Sequence, residues 1–460
     1  MNIRNEIFRE YDIRGVVGQD LDRDTAFILG RAVATKVKAS SRKEVAVGRD
    51  CRLSSPELAE GLIEGLLQSG CEVVDLGVVP TPLVYFSSFY KRKESAVMIT
   101  GSHNPPEFNG FKIMIGEETL YGDDIQDIFR IIQKGDFVSA TSPGKRTYYH
   151  PILEYIDYVV SQIKLERPVK VVVDPGNGTA GPVVGPLFEK LGAEVVELYC
   201  EMDGHFPHHH PDPTLPEALK DLIAKVAETG AELGLAYDGD ADRIGAIDET
   251  GRIIWGDQLM IIFARDLLPH HPGAAVISEV KASKLLYDEI SRLGGRPIMW
   301  KTGHSLIKKK IKEEKALLAG EMSGHIFFAD RWFGFDDAIY ASARLLEIVS
   351  RSTKKLSEYL KDLPKTYNTP EIRIYASDEV KFKIVDRVKE AFSQRADIRK
   401  IIDIDGVRAV FDHGWGLLRA SNTQPVLVLR FEADSPGNLG KLQQEVKGVL
   451  EEVIKKLSMK

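Results

Sequence analysis

The strongest constraint on the fold is one plan of elements that occurs three times along the 460-residue chain. Each copy begins with a short apolar strand that runs into a loop, and these starts lie at 45–55, 169–181 and 274–284. Each copy continues through a helical stretch to a glycine and a second strand, at 70–77, 192–199 and 294–300. Short β-rich runs that alternate with helices are typical of βαβ units. The sequence therefore predicts three similar α/β domains with mainly parallel mixed sheets.

The third strand of each copy ends in an unusual polar loop. These loops read "TGSHNP" at 100–105, "DGDADR" at 238–243 and "GEMSGH" at 320–325. In parallel sheets, the loops at the carboxyl ends of the strands form the ligand crevice. We therefore expect the three loops to carry the chemistry of the protein, one loop per domain.

The last part of the chain follows a different plan. From about Thr369, strand-like runs surround a helical stretch at 379–392, and an amphipathic helix follows at 439–457. This order predicts a C-terminal α+β domain with a largely antiparallel sheet. "TYNTP" at 366–370 is the expected link. The predicted domains are 1–153, 154–254, 255–367 and 368–460.

Composition excludes several classes of protein. The chain is 43% hydrophobic and 28% charged with a net charge of −7, and it has no basic block, which argues against a nucleic-acid groove. No apolar run approaches the roughly 18 residues of a membrane helix, and the first 15 residues lack the apolar core of a signal peptide. Cys51, Cys71 and Cys200 are scattered, which favours reduced thiols and a cytoplasmic protein.

The loop "DGDADR" predicts a metal site. Asp238, Asp240 and Asp242 stand at alternate positions, where carboxylates repel one another unless a cation lies among them. All-oxygen ligands favour Mg²⁺ or Ca²⁺ over zinc. An EF-hand loop ending at Glu249 is disfavoured because Arg243 stands where that loop needs glycine. A solvated acidic turn without metal stays open.

The loop "TGSHNP" is either a plain turn or a loop that presents Ser102 as a nucleophile. A phosphorylated Ser102 would add an oxygen ligand to the metal. Arg14, Lys112 and Arg243 are candidates for the cationic help that phosphoryl transfer needs, although each alone also fits a solvated surface charge.

Two further loops fit a phosphorylated sugar. Glu321 and Ser323 at alternate positions can grip two vicinal hydroxyls, and the bland alternative is a polar turn. "RASNTQP" offers an anion cradle, again with a turn as the alternative, from Arg419, Ser421, Asn422 and Thr423.

The histidines need separate interpretations. His205 and His208–His210 are tightly spaced, proline-rich in context and without cysteine partners, which favours a rigid loop over a zinc site. His103, His304 and His325 lie beside the polar loops, where an imidazole can act as acid or base.

Taken together, these stretches resemble the α-D-phosphohexomutase superfamily, and within it the bacterial phosphomannomutase/phosphoglucomutase group. The matching segments are 8–15, 100–112, 203–213, 238–243, 301–305, 320–328, 331–338 and 419–425. The resemblance implies four domains around a central cleft and a phosphoserine at Ser102. It implies Mg²⁺ held by Asp238, Asp240, Asp242 and a phosphoserine oxygen, with Glu321 and Ser323 on the sugar. The segment 419–423 would hold the far phosphate. The other residues that would line the site are Tyr11, Arg14, His103, Lys112, Arg243, Lys281, His304 and His325.

The implied reaction interconverts hexose 1-phosphate and hexose 6-phosphate through a bound hexose 1,6-bisphosphate. Met322 and Asn422 depart from the glutamine and glycine usual in phosphoglucosamine mutases, so glucose and mannose phosphates are favoured over that alternative. Two other functions stay open: a phosphatase that uses water as acceptor, and a sugar-phosphate binding protein without catalysis. We expect a monomer or a weak homodimer whose partners are small sugar phosphates, with no membrane or nucleic acid involved.

Overall fold

The computed structural model describes residues 3–91, 94–422 and 424–458. The chain folds into four successive sheets with helices packed against them. Three sheets share one plan of parallel strands extended by an antiparallel strand, and the fourth sheet is antiparallel. The α/β fold class with a C-terminal α+β domain is therefore confirmed.

The first sheet has seven strands in the order β1-β5-β4-β2-β3-β7, with β6 paired to β5. Its elements are β1 Ile13–Val16, α1 Arg23–Ala39, β2 Glu44–Arg49, α2 Ser55–Gln68, β3 Glu72–Val78, α3 Thr81–Tyr90, β4 Ser95–Ile99, β5 Phe108–Ile115, β6 Glu118–Thr119, α4 Asp123–Lys134, β7 Arg146–Tyr148 and α5 Ile152–Gln162. Strand β2 pairs in parallel with β3 and β4, and β4 pairs antiparallel with β5. The loop with Ser102 therefore joins a parallel strand to an antiparallel one.

The second sheet has five strands in the order β12-β11-β10-β8-β9. Its elements are β8 Lys170–Asp174, α6 Gly181–Lys190, β9 Glu194–Glu197, a 3₁₀ helix Pro216–Leu219, α7 Lys220–Thr229, β10 Leu233–Tyr237, β11 Ile244–Asp248 and β12 Ile253–Ile254. Strands β10 and β11 are antiparallel and flank "DGDADR". This strand–loop–strand arrangement rules out an EF-hand, and Glu249 instead accepts a hydrogen bond from Ser357 Oγ at 2.5 Å.

The third sheet has four strands in the order β14-β13-β15-β16. Its elements are α8 Gly256–Leu267, β13 Ala275–Glu279, α9 Lys284–Arg292, β14 Arg296–Trp300, α10 His304–Glu314, β15 Leu318–Gly320, β16 Ile326–Phe328, α11 Ala338–Ser350 and a 3₁₀ helix Leu356–Glu358. Strands β15 and β16 are antiparallel and flank "GEMSGH". The three polar loops thus occupy the same place in three related sheets.

The fourth sheet orders its strands β17-β22-β21-β20-β19, with β18 also paired to β22. Its elements are β17 Tyr367–Asn368, β18 Ile372–Tyr375, α12 Lys381–Ser393, β19 Lys400–Ile402, β20 Val407–Phe411, β21 Gly414–Ala420, β22 Val426–Ala433 and α13 Pro436–Ser458. Two of the proposed domain limits, 153/154 and 367/368, fall inside α5 and β17.

Buried contacts join the domains. Phe86, Tyr155 and Trp332 belong to one core cluster that runs through the first three sheets. Arg408 from β20 donates to the carbonyls of Val280 and Ala282 at 2.7 and 2.8 Å, which ties the fourth sheet to the loop after β13. Within the described ranges, each helix is too short or too polar to cross a bilayer.

Candidate active site

Ser102 lies at the contact between the first two domains. Its side chain is buried, and its Oγ donates to Asp238 Oδ2 at 2.7 Å and lies 3.0 Å from His103 Nδ1. The φ of Ser102 is +48°, a left-handed conformation that costs a non-glycine residue roughly 1–2 kcal/mol. Such a conformation persists only where the surroundings fix it. The serine is therefore held in one place, facing the acidic loop.

The three aspartates of that loop form a compact buried cluster. Asp238, Asp240 and Asp242 are 0% exposed, and ligand oxygens of all three lie within 4.8 Å of one another. Among the residues that the structure describes, none donates a hydrogen bond to Oδ1 of Asp240 or Asp242. A buried carboxylate oxygen without a partner is costly. The donor set thus fits a hard divalent cation such as Mg²⁺.

Lys112 provides the positive charge nearest to these carboxylates. Its Nζ donates to Asp240 Oδ2 at 2.7 Å and to Asp242 Oδ2 at 2.5 Å. Burial acts to lower the pKa of Lys112, but the charges of Asp240 and Asp242 outweigh it and raise that pKa well above its usual value. Burial, Asp240 and Asp242 also raise the pKa of Asp238 well above the ordinary range. Lys112 is therefore a buried part of the cluster and not a solvated surface charge.

Thr81 supports the same loop from α3. Its Oγ1 donates to Asp240 Oδ2 at 2.6 Å, and its backbone N–H donates to the carbonyl of Asp240 at 2.9 Å. Burial acts to raise the pKa of Asp240, but Lys112 and Thr81 outweigh it and lower that pKa. No motif in the sequence points to Thr81, because a threonine at a helix start is also a common structural residue.

Arg243 and Arg14 contribute further positive charge. Arg243 Nε donates to His325 Nε2 at 3.0 Å, and Arg14 Nη2 donates to Asp12 Oδ2 at 2.5 Å. Burial, followed by the charges of Arg243 and Arg14, lowers the pKa of His103 well below its usual value. His103 is therefore a neutral imidazole at pH 7 beside Ser102.

His325 sits between Arg243 and Asp336. Because a guanidinium can only donate, the hydrogen bond from Arg243 assigns a bare Nε2 and places the ring proton on Nδ1. That Nδ1 lies 3.1 Å from Asp336 Oδ2. The carboxylate of Asp336 also lies 3.6 Å from His304 Nδ1, and burial followed by Lys308 lowers the pKa of His304 well below its usual value. Sequence reasoning included Asp336 in a matching segment but gave it no role.

The loop "GEMSGH" presents Glu321 and Ser323 side by side. Glu321 Oε1 accepts from the Gly303 backbone N–H at 2.6 Å, and Ser323 Oγ donates to Glu321 Oε2 at 3.4 Å. Glu279, at the end of β13, accepts from the Met322 N–H at 3.1 Å and from Thr302 Oγ1 at 2.5 Å. Burial raises the pKa of Glu279. No motif in the sequence points to Glu279, which holds the loop "GEMSGH" through the Met322 backbone N–H.

The fourth domain brings Arg419 and Asn422 to the same region. Arg419 Nε donates to Asp405 Oδ2 at 3.0 Å, and that oxygen also accepts the Thr302 backbone N–H at 3.0 Å. Asn422 Nδ2 donates to the Tyr11 hydroxyl at 2.8 Å, and this hydroxyl donates to the Thr302 carbonyl at 2.7 Å. The first, third and fourth domains thus meet around Tyr11.

Three further residues were predicted to contact the substrate in this region, namely Ser421, Lys281 and Thr423. Ser421 is buried beside Asn422. Lys281 is buried and donates to Glu371 Oε1 at 2.7 Å, and this charge lowers the pKa of Glu371 to about 2. Thr423 lies outside the described residues.

The histidine-rich segment, residues 203–213, forms hydrogen bonds within the second domain. His208 Nδ1 lies 2.7 Å from Asn177 Oδ1, and His209 Nε2 lies 3.0 Å from Asp174 Oδ2. Burial acts to lower the pKa of His209, but Asp174 outweighs it and raises that pKa. Among the described side chains, the groups able to hold a metal are the aspartate triad and Asp242 with His325 and Asp336, and neither includes this segment.

Comparison with family models matches four consecutive parts of the chain. The descriptions are phosphoglucomutase/phosphomannomutase alpha/beta/alpha domain I at residues 5–139, domain II at 153–251, domain III at 255–367, and the C-terminal domain at 371–449. The matches occur in order and span most of the chain.

Individual relatives are similar over nearly their full length. A phosphomannomutase/phosphoglucomutase of Pseudomonas aeruginosa is 49% identical over 97% of this chain and 96% of that protein. A phosphoglucomutase of Neisseria gonorrhoeae is 48% identical over 98% of both chains. The crystal structure of a phosphoglucomutase/phosphomannomutase family protein from Burkholderia thailandensis superposes with a TM-score of 0.93 at 44% identity, covering 98% of each chain.

Proposed function

The chain belongs to the phosphoglucomutase/phosphomannomutase family and is a phosphohexomutase, and we propose that it works through a phosphoserine at Ser102. The observation that carries the proposal is the 2.7 Å hydrogen bond from Ser102 Oγ to Asp238, which places the hydroxyl against the aspartate triad. A serine hydroxyl next to carboxylates that can bind a divalent cation suits phosphoryl transfer, since that reaction depends on positioning and charge neutralisation.

Asp238, Asp240 and Asp242 are the residues that would hold Mg²⁺, together with an oxygen of the phosphorylated Ser102. Oδ1 of Asp240 and Oδ1 of Asp242, which accept no hydrogen bond from the described residues, support this assignment. When bound, the metal supplies positive charge that stabilises the phosphoryl oxygens. Lys112 and Arg243 supply the protein's own share of that charge, and Arg14 adds positive charge near His103.

In the proposed transfer, a sugar hydroxyl oxygen bonds to the phosphorus while the bond from phosphorus to Ser102 Oγ breaks. The hydroxyl loses a proton, and His325 is the proposed acceptor. Its Nε2 carries no proton but accepts from Arg243 Nε at 3.0 Å, so Arg243 must turn away from this nitrogen before it takes the proton. Asp336 faces the opposite ring nitrogen at 3.1 Å and stabilises the charged ring. The product of this step is a hexose 1,6-bisphosphate.

The bisphosphate then turns end for end, and Ser102 takes back the phosphoryl group from the other end of the sugar. In this step the hydroxyl oxygen of the sugar leaves phosphorus and regains a proton. The net result is a phosphoryl group moved between the 1 and 6 positions, with the phosphoserine restored. A second molecule of hexose 1,6-bisphosphate phosphorylates any chain whose Ser102 has lost its phosphate.

Glu321 and Ser323 are the proposed contacts of the sugar. The turn exchanges the places of the O3 and O4 hydroxyls, so one pair of polar groups can serve both orientations. Glucose and mannose differ at C2, which is carried to a different side of the pocket in each orientation. We therefore propose that the chain accepts both sugars, with discrimination within roughly 1–3 kcal/mol. Relatives named for both activities support this choice.

The phosphate that does not react would be held in the fourth domain by Arg419, Ser421, Asn422 and Thr423. Arg419 is 5% exposed and already oriented by Asp405. A guanidinium fixed in this way presents its remaining N–H groups as a planar fork, the geometry suited to phosphate oxygens.

The test is turnover of glucose 1-phosphate and mannose 1-phosphate with Mg²⁺ and a catalytic amount of the matching 1,6-bisphosphate. We expect both 6-phosphates to form, and Ser102→Ala to abolish turnover. Ser88→Ala is the matched control, because Ser88 is a buried serine of the same domain whose hydroxyl lacks a partner among the described residues. Normal turnover by Ser102→Ala would refute the proposal, and release of inorganic phosphate in place of isomerisation would favour a phosphatase.

A further inference from the structure

Arg52, in the loop after β2, contacts the serine loop more extensively than any group that the sequence analysis identified. Its Nη2 donates to the carbonyls of Ser102 at 2.8 Å and Asn104 at 2.6 Å. Its Nη1 donates to the carbonyls of Pro105 at 2.6 Å and Phe108 at 3.1 Å. One buried side chain thus gathers four backbone carbonyls of the segment that carries the nucleophile.

The fifth N–H of this guanidinium is also used. Arg52 Nε donates to Asp50 Oδ2 at 3.1 Å, and the same oxygen accepts the Gly101 backbone N–H at 3.1 Å. The side chains of Arg52 and Asp50 are 0% and 1% exposed. Since arginine has five N–H donors in a rigid fork and lysine has three on a flexible stem, this contact set requires arginine.

Gly101 leaves room for the guanidinium. A Cβ at this position would lie 2.5 Å from both Cζ and Nε of Arg52. Ser102, the next residue, has the left-handed φ of +48°, and its backbone N–H donates to Thr100 Oγ1 at 2.8 Å. The close approach at Gly101 and the contact on the Ser102 carbonyl therefore act on the peptide units on both sides of the strained residue.

The second domain closes this arrangement from the other side. A Cβ on Gly239 would lie 2.6 Å from the Ser102 carbonyl oxygen, so the metal loop packs directly on the peptide that Arg52 holds. The ring centroid of Phe206, in the histidine-rich segment, lies 5.2 Å from Arg52 Cζ. A Cβ on Gly204 would lie 2.5 Å from the Cys51 carbonyl oxygen. The histidine-rich segment thus covers Arg52.

We propose that Arg52 is a positioning residue that fixes the Ser102 loop against the metal loop, with the histidine-rich segment as its cover. This inference rests on the proposed role of Ser102 as the phosphoryl carrier. Among the described residues, the Arg52 guanidinium donates to backbone carbonyls and to Asp50, and no hydrogen bond joins it to Glu321 or Ser323. Its loss therefore misplaces the reacting oxygen and leaves substrate binding nearly intact.

The test is Arg52→Lys, which keeps the charge and loses the fork. A misplacement of about 1 Å at a reacting atom costs on the order of 100-fold in rate. We expect kcat to fall by about that factor, the KM for glucose 1-phosphate to change by less than about threefold, and phosphorylation of Ser102 by glucose 1,6-bisphosphate to slow in parallel with kcat. A merely structural role would lower the melting temperature without changing kcat per folded, phosphorylated chain.

Arg344→Lys is the matched control. Arg344 is also buried and donates to both carboxylate oxygens of Asp330, at 2.9 and 3.0 Å, but it lies in α11, and its ion-pair partners among the described residues lie outside the polar loops. We expect a lower melting temperature with unchanged kcat. If Arg52→Lys shows that same pattern, the proposal is overturned.

Asp50→Asn provides a second variant if Arg52→Lys does not fold. The asparagine keeps the size of the anchor and removes the charge that holds Arg52 Nε, so we expect the same kcat-specific loss on a smaller scale. Unchanged kcat in a folded Asp50→Asn protein would contradict the proposal. Ser102→Ala, assayed in parallel, separates the two levels: if Ser102→Ala retains turnover the proposed function fails, whereas normal turnover by Arg52→Lys with a dead Ser102→Ala overturns the role of Arg52 alone.

Discussion

Replacing Lys112 by methionine tests how the buried carboxylates are neutralised. Lys112 Nζ lies 2.7 Å from Asp240 and 2.5 Å from Asp242, and the three side chains are 4%, 0% and 0% exposed. Removing one partner of a buried ion pair costs about 3–5 kcal/mol, because the other charge stays buried without compensation. Two carboxylates lose their cationic partner here, while Asp240 keeps the Thr81 hydroxyl, so we expect a loss of about 4–5 kcal/mol in chelator.

The assay is thermal unfolding with and without Mg²⁺. For a cooperative unit of 150–250 residues, each kcal/mol shifts the melting temperature by about 2–4 °C. The expected loss therefore lowers the first melting transition by roughly 8–20 °C. A cation that binds only the folded state stabilises it, and the freed carboxylates of the variant bind it more strongly. Mg²⁺ should thus recover more stability in the variant than in the wild type.

Lys381→Met is the matched control. The Lys381 side chain is also 4% exposed, but its partner Asp378, at 2.5 Å, is 64% exposed. A pair with one solvated member contributes about 1 kcal/mol or less, and we expect no response to Mg²⁺ beyond that of the wild type. Equal losses in the two variants, or a Lys112→Met deficit that Mg²⁺ leaves unchanged, would refute this account of the cluster.

Two further predictions follow from buried charges. Burial raises the pKa of Asp337 to about 7, so between pH 4 and 7 the folded carboxyl holds a proton that the unfolded one has lost. As the pH rises from 4 to 7, this group should lower the free energy of unfolding by about 1.4 kcal/mol per pH unit. Asp337→Asn, which can still cap α11, should flatten the profile of melting temperature against pH, and an unchanged slope would exclude Asp337 as its source. Arg419→Ala should weaken binding of glucose 1-phosphate and mannose 1-phosphate by about 1.5–3 kcal/mol, or one to two decades, as measured by calorimetry; unchanged affinity for both would remove Arg419 from the site.

The repeated strand–loop plan was predictable because the apolar runs and the polar loops recur in the same order along the sequence. The parallel strands of each copy and the position of each polar loop at a strand end followed from it. An antiparallel strand, β5, β11 or β16, follows each loop, so the chain reverses direction there. The direction of a strand is only weakly encoded in the pattern of apolar residues.

That the side chains of the polar loops lie together was also predictable, since each loop ends the equivalent strand of its copy, even though a plain turn stayed open for the serine loop. The groups that hold these side chains were not. Asp405 and Thr81 reach the site across domain boundaries, Glu279 reaches it from the end of β13 in the same domain, and all three residue types are common elsewhere. No motif in the sequence points to Arg52, because an arginine in a loop is a common surface residue, and only the fold reveals that it is buried among backbone carbonyls.

The most direct test of the mechanism is a label chase through Ser102. The purified protein is loaded with glucose 1,6-bisphosphate carrying labelled phosphate, freed of excess ligand and mixed with unlabelled glucose 1-phosphate in a rapid-quench experiment. The account predicts label on the peptide that contains Ser102, and its transfer to the sugar at a rate no slower than kcat. Turnover that proceeds while Ser102 stays unlabelled, or label that leaves Ser102 more slowly than product forms, would contradict it.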